Sequence, residues 1–225
     1  MRFTKTYAAG AALAGAVSAQ EASKYFDPAT GITFSSITHN NGLTTRVALP
    51  ANGTSSDAIL QIITPSAFAW CGLAWGGHMT NNPLSVTWAT GEATGEKVIV
   101  SSRMAFGYYA IPYTYDGAEY TNIPTGTSVN ATHWQITTRC RGCTQWSSAD
   151  GDFNLHNEPS AVLAYACSSV PPDTPSRNDS SFNIHEQFGI WSHDFTIAKN
   201  ASYGSWVSGA GAGEANGVFG RRWAA

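Results

Sequence analysis

Met79 closes the run Trp70-Cys-Gly-Leu-Ala-Trp-Gly-Gly-His-Met79. A methionine displayed after a Gly-Gly turn at the end of an apolar strand can do two things. It can fill core, or it can hold a soft thioether against a metal. The chain has six histidines, and each taken alone is more often a surface or core residue than a ligand. His185 is the best placed of them. It follows Phe182-Asn-Ile and precedes Glu-Gln-Phe-Gly-Ile-Trp191, an aromatic and apolar segment. A neutral imidazole buried there needs a partner for each nitrogen. A metal on one nitrogen and a carbonyl or water on the other would satisfy both. No His pair has the HExxH spacing, and no GxSxG elbow occurs. Glu186 and Asp194 form the best acid/base pair by eye, which leaves a hydrolase as the last-ranked reading.

The cysteines give a second set of candidates. Cys140-Arg-Gly-Cys143 could bind metal, work in redox or form a local disulfide. There is no second CxxC for a zinc ribbon, and Thr144 stands where a c-type haem motif needs His. A structural staple is the favoured reading. Parity then pairs Cys71 with Cys167, both inside strand-like runs, so that bridge should join two strands.

The elements that position these residues read as short strands and turns. Leu43, Val47 and Leu49 alternate with polar neighbours, as do Leu84, Val86 and Trp88. Runs 58–64 and 70–75 are dense in apolar residues. Run 97–102, Trp134 with Ile136, and a last buried strand at 161–167 complete the set. Gly, Pro and Asn clusters punctuate them, the signature of a sandwich or barrel. One short helix is expected near 196–206. Two long loops are expected, 104–130 and 168–188, and loops of that length are usually functional or disordered. The Gly/Ala-rich stretch from Ser208 reads as a tail or linker over 208–225.

Residues 1–19 read as a secretory signal: Arg2 and Lys5, an Ala/Gly/Leu run too short to span a bilayer, and Val17-Ser-Ala19 for cleavage. The main domain should then cover 20–207 in an extracellular protein. Charged residues make up 12%, about half the ~25% of globular chains. Without Arg2 and Lys5 the formal charge of −3 becomes −5, which offers no basic footprint for nucleic acid or an anionic membrane. Sequons at Asn52, Asn130, Asn178 and Asn200 suit exposed glycosylation sites of a secreted glycoprotein.

Five blocks in order carry a family resemblance: Trp70-x-Gly-Leu-Ala-x-Gly-Gly-x-Met79-x-Asn-Asn, Ala105-Phe-Gly-Tyr-Tyr, Asn130-Ala-Thr-His-Trp134, Arg139-Cys-Arg-Gly-Cys-Thr-Gln-Trp146, and Phe182-x-x-His185-x-x-Phe-Gly. Together they resemble the cytochrome domain of fungal cellobiose dehydrogenase and related iron-reductase domains, over roughly Tyr25 to Tyr203. The resemblance implies an all-β, immunoglobulin-like two-sheet antiparallel sandwich, with a pocket for non-covalent haem b between loops at one end. It implies Met79 and His185 as axial ligands, Tyr108 at a haem propionate, Phe188 against the haem, and the Cys140–Cys143 bridge. Cys71 and Cys167 stand outside it.

By that resemblance the protein is a monomeric carrier of single electrons. Its donor is a flavin dehydrogenase. Its acceptor is a lytic polysaccharide monooxygenase, ferric iron or a quinone in lignocellulose breakdown. No flavin domain, cellulose-binding module or transmembrane cytochrome is legible in the chain, so a separate donor or a truncated multidomain product is expected. His78 could replace Met79 as ligand, but adjacent residues in an extended segment point oppositely and Met79 is favoured. The rival class is a haem-free carbohydrate-binding sandwich that grips sugars by aromatic stacking.

Overall fold

The computed structural model describes residues 21–52 and 55–210. In chain order the strands are β1 (Ser23–Asp27), β2 (Ile32–Thr38), β3 (Thr44–Pro50), β4 (Asp57–Pro65), β5 (Trp70–Ala74), β6 (Leu84–Ala89), β7 (Val98–Met104) and β8 (Tyr113–Thr114). They continue as β9 (Glu119–Asn122), β10 (Ser128–Val129), β11 (His133–Arg141), β12 (Gln145–Ser148), β13 (Gly151–Asn154), β14 (Ser160–Ser168), β15 (Gln187–Asp194) and β16 (Lys199–Asn200). Helices α1 (Phe195–Ala198) and α2 (Tyr203–Ala210) lie on either side of β16.

One large sheet runs β1-β2-β3-β4-β11-β10, with β9 on β11 and β16 on β3; the second runs β15-β14-β5-β6-β7-β8, and β12 and β13 form a separate two-stranded sheet. Strand pairs are antiparallel apart from β16 with β3. The expected immunoglobulin-like sandwich is therefore what the chain forms. Alternation dictates it. Leu60 and Ile62 from β4, Trp134 and Ile136 from β11, Cys71 and Leu73 from β5, and Leu163 and Cys167 from β14 all point into one core. Where both faces of a strand are covered, alternation gives way to a dense apolar run. On the far face of the first sheet, Phe34, Ala48 and Ile59 pack beneath Tyr203 of α2. On the far face of the second, Trp70, Val86 and Trp88 form another cluster.

The disulfides pair as expected. Cys71 and Cys167 face each other across the β5–β14 register. Cys140 and Cys143 close a tight turn in which Gly142 has φ 91° against Gly117.

Two expectations need correction. The segment 104–130 is not structureless, because β8, β9 and β10 pair there with β7 and β11. The helix expected over 196–206 is split. Asp194 caps α1, Oδ1 accepting from Thr196 N at 2.7 Å. Lys199 and Asn200 then extend to pair with Leu49 and Pro50 before α2 begins. After the last buried strand at 161–167, β15 follows as an edge strand, half exposed and so without a dense apolar signal. Helix α2 runs to Ala210. Residues 1–19 and 211–225 lie outside the described residues.

Candidate functional site

Small side chains open a trough on the outer face of the second sheet. Two register rows cross it. One is Val86, Gly72, Ala166, Phe188; the other is Leu84, Ala74, Ala164, Ile190. Each row reads large, small, small, large from β6 through β5 and β14 to β15. At ~4.8 Å per strand spacing, the large residues stand about 14 Å apart. Trp70 and Phe182 close one end, their rings 4.9 Å apart. The resulting cavity is about 490 Å³, the scale of a cofactor site. The sheet is its floor, and loops are its walls. The cause is local: glycine and alanine on the outward positions of β5 and β14 leave room that larger residues would fill.

Three segments wall the trough. The first is the turn after β5. Gly77 takes φ 80° there, and a Cβ would meet Val162 Cγ1 at 2.6 Å. Only glycine fits that turn without strain. Asn81 follows at φ 57°, its N–H donating to Ala105 O at 2.8 Å, so the turn is tied to the second wall. His78 is exposed, and its ring lies 3.1 Å from Asn82 Nδ2 and 3.3 Å from Thr80 Oγ1. Met79 is half-buried and packs on the apolar cluster with Trp70 and Phe182.

The second wall, Tyr108–Pro112, overhangs the cavity with Tyr108 63% exposed. The third, Phe182–His185, comes from the opposite end of the sheet. His185 Nδ1 is buried with no hydrogen-bond partner, and burial lowers the ring's pKa, keeping it neutral. Phe188, 68% exposed, meets the His185 ring edge-on at 5.5 Å.

Met79, His185, Tyr108 and Phe188, far apart in the chain, therefore line one cavity. Other expected sites lie elsewhere. Glu186 accepts from Ser169 Oγ at 2.8 Å and Asp194 caps α1, at opposite ends of β15, so they form no acid/base pair. Among the described residues no group of three His, Cys, Asp or Glu could hold a metal ion. Asn52, Asn130 and Asn178 are exposed, whereas Asn200 is half-buried and its Oδ1 accepts from Ser202 N at 2.8 Å. Sequence reasoning missed the floor. Gly72, Ala74, Ala164 and Ala166 at i, i+2 spacing were its only signal.

A sequence profile described as the cytochrome domain of cellobiose dehydrogenase matches residues 25–205. The chain belongs to that family. The cytochrome domain of Myriococcum thermophilum cellobiose dehydrogenase superposes with a TM-score of 0.74 at 30% identity, covering 85% of this chain and 97% of that one. The cytochrome b domain of Coprinopsis cinerea pyranose dehydrogenase gives 0.73 at 27% identity, covering 84% and 95%. A pyrroloquinoline quinone-dependent pyranose dehydrogenase from the same fungus is 29% identical over 185 residues, 80% of this chain. This cytochrome-domain chain spans 24% of that relative's length. The sandwich and the trough are described over the same residues that the family profile covers.

Proposed function

We propose that the chain is a secreted electron-transfer domain that holds one non-covalent haem b in the trough. The carrying observation is that Met79 and His185 line one apolar cavity with a floor of small residues. The residues present fit the group. The floor is flat and apolar, and the donor set pairs a soft thioether with an imidazole kept neutral by burial. Met79 and His185 would hold the haem iron. When bound, haem b supplies a one-electron iron couple, which Met/His ligation sets higher than a bis-His pair would. Held by these two side chains, the group would serve electron transfer rather than substrate binding. Tyr108 would reach a propionate from the second wall, and Phe188 would hold the imidazole plane from the side.

The domain would take electrons from a sugar-oxidising dehydrogenase. The family points to a flavin enzyme, and the Coprinopsis relative adds a quinone-dependent one. Acceptors would be a lytic polysaccharide monooxygenase, ferric iron or a quinone. Among the described residues no helix is long and apolar enough to cross a membrane. A reduced-minus-oxidised absorption spectrum of the purified chain after haem supplementation tests the reading. A sharp α-band and Soret shift are expected. A colourless protein that retains oligosaccharides would favour the carbohydrate-binding class instead.

A further inference from the structure

Arg103 sits on the trough side of β7, opposite Leu84 in the β6–β7 register. It is 3% exposed. A buried guanidinium stays charged and must find acceptors. Nε donates to Ser101 Oγ at 2.6 Å, and Nη1 donates to Pro112 O at 3.1 Å. Nη2 donates to Asn178 O at 3.0 Å and to Ser180 O at 2.6 Å. Ser101 Oγ in turn donates to Asn178 O. The guanidinium carbon lies 5.3 Å from the centre of the Phe182 ring.

Two consequences follow from those partners. Pro112 ends the wall that carries Tyr108, while Ser180 and Phe182 lead into His185, so one side chain ties β7 to both loops. Every acceptor is also neutral. Asp179, a carboxylate that attracts it, is exposed and already bound by Arg177 at 2.8 and 2.6 Å. The charge on Arg103 is therefore left largely uncompensated beside an apolar cavity, where fields are strong.

We propose that Arg103 is a positioning residue of the haem site: it holds the Tyr108 and His185 loops on the sheet, and its buried positive charge favours the ferrous state. This rests on the haem b reading above. Reduction adds one electron beside that charge, so removing the charge should lower the reduction potential. The test compares the full chain with Arg103→Met and Arg103→Lys in two measurements. Limited proteolysis of haem-free protein reads loop fixation. Spectroelectrochemistry of haem-loaded protein reads the potential.

Arg103→Met should be cleaved within 174–186 at least tenfold faster. At a fixed solution potential its ferric-to-ferrous ratio should rise about tenfold, a fall of about 59 mV for a one-electron couple. Arg103→Lys keeps the charge without the fork, so it should be cleaved faster yet hold most of the potential. Wild-type behaviour of Arg103→Met in both measurements overturns the proposal. A potential in Arg103→Lys as low as in Arg103→Met overturns the charge effect. If Arg103→Met does not fold, Arg103→Lys decides, and wild-type cleavage of it overturns loop fixation. If the wild-type chain takes up no haem, the haem reading fails, while proteolysis still decides whether Arg103 fixes the loops.

Discussion

Two neighbours at one turn have different surroundings. His78 is exposed at the rim of the trough and engaged by Asn82 and Thr80, whereas Met79 is half-buried and packs on the apolar cluster there. Both side chains border the trough, and the apolar packing of Met79 favours it over His78 as the ligand. Met79→Ala should lose haem, and with it any sulfur-to-iron charge-transfer band of the oxidised protein. His78→Ala should keep both. The reverse pattern would reassign the ligand. The turn that aims them is a separate target. Gly77→Ala forces a side chain into left-handed backbone against Val162 and should cost about 1–2 kcal/mol, read as a lower urea midpoint at unchanged slope.

Strands β5 and β14 each serve two faces. Cys71, Leu73, Leu163 and Cys167 face the core, while Gly72, Ala74, Ala164 and Ala166 face the trough. Filling the floor should separate fold from site. Ala166→Phe should keep a native far-UV spectrum and fail to bind haem in a Soret titration; normal binding would remove the trough from the reading. Replacing Cys71 and Cys167 together by Ala opens a loop of 96 residues and should cost about 4 kcal/mol in urea unfolding. The inward half of this arrangement was legible in sequence, because apolar residues at period two mark a core face. The outward half was not. Small residues carry no hydrophobic signal, and their meaning appears only when two strands pair in register. The edge strand β15 was missed for a related reason: Phe188 and Ile190 face the trough, Gly189 interrupts, and no dense run results. Motif blocks located Met79 and His185, but nothing in them showed that the floor between is a sheet.

At the scale of the whole molecule, the two sheets also meet along an aromatic seam. His39, from the turn between β2 and β3, lies 4.5 Å from the Tyr165 ring and 4.4 Å from Trp191. Trp191 Nε1 donates to His193 Nδ1 at 3.1 Å. Both histidines have their pKa lowered to about 4, His193 by burial and His39 by burial together with the charge of His193. In the unfolded chain a histidine titrates near 6.5. Between about 4 and 6.5 the unfolded state therefore binds more protons, so stability rises with pH across that window. It should be at its full value above about 6.5 and decline as the pH falls toward 4, by at most about 3 kcal/mol for each histidine. Urea unfolding at pH 4.5, 5.5 and 7 checks this, with His193→Gln expected to flatten the profile.

The β5–β14 disulfide stands directly behind the trough, since Cys71 and Cys167 immediately adjoin Gly72 and Ala166 in the paired register. The width of the floor is thus tied covalently from its reverse side. A chain made in a reducing compartment would present the same residues without that tether. For this protein an oxidising route of manufacture becomes a condition of a well-formed floor, and recombinant expression should be planned on those terms.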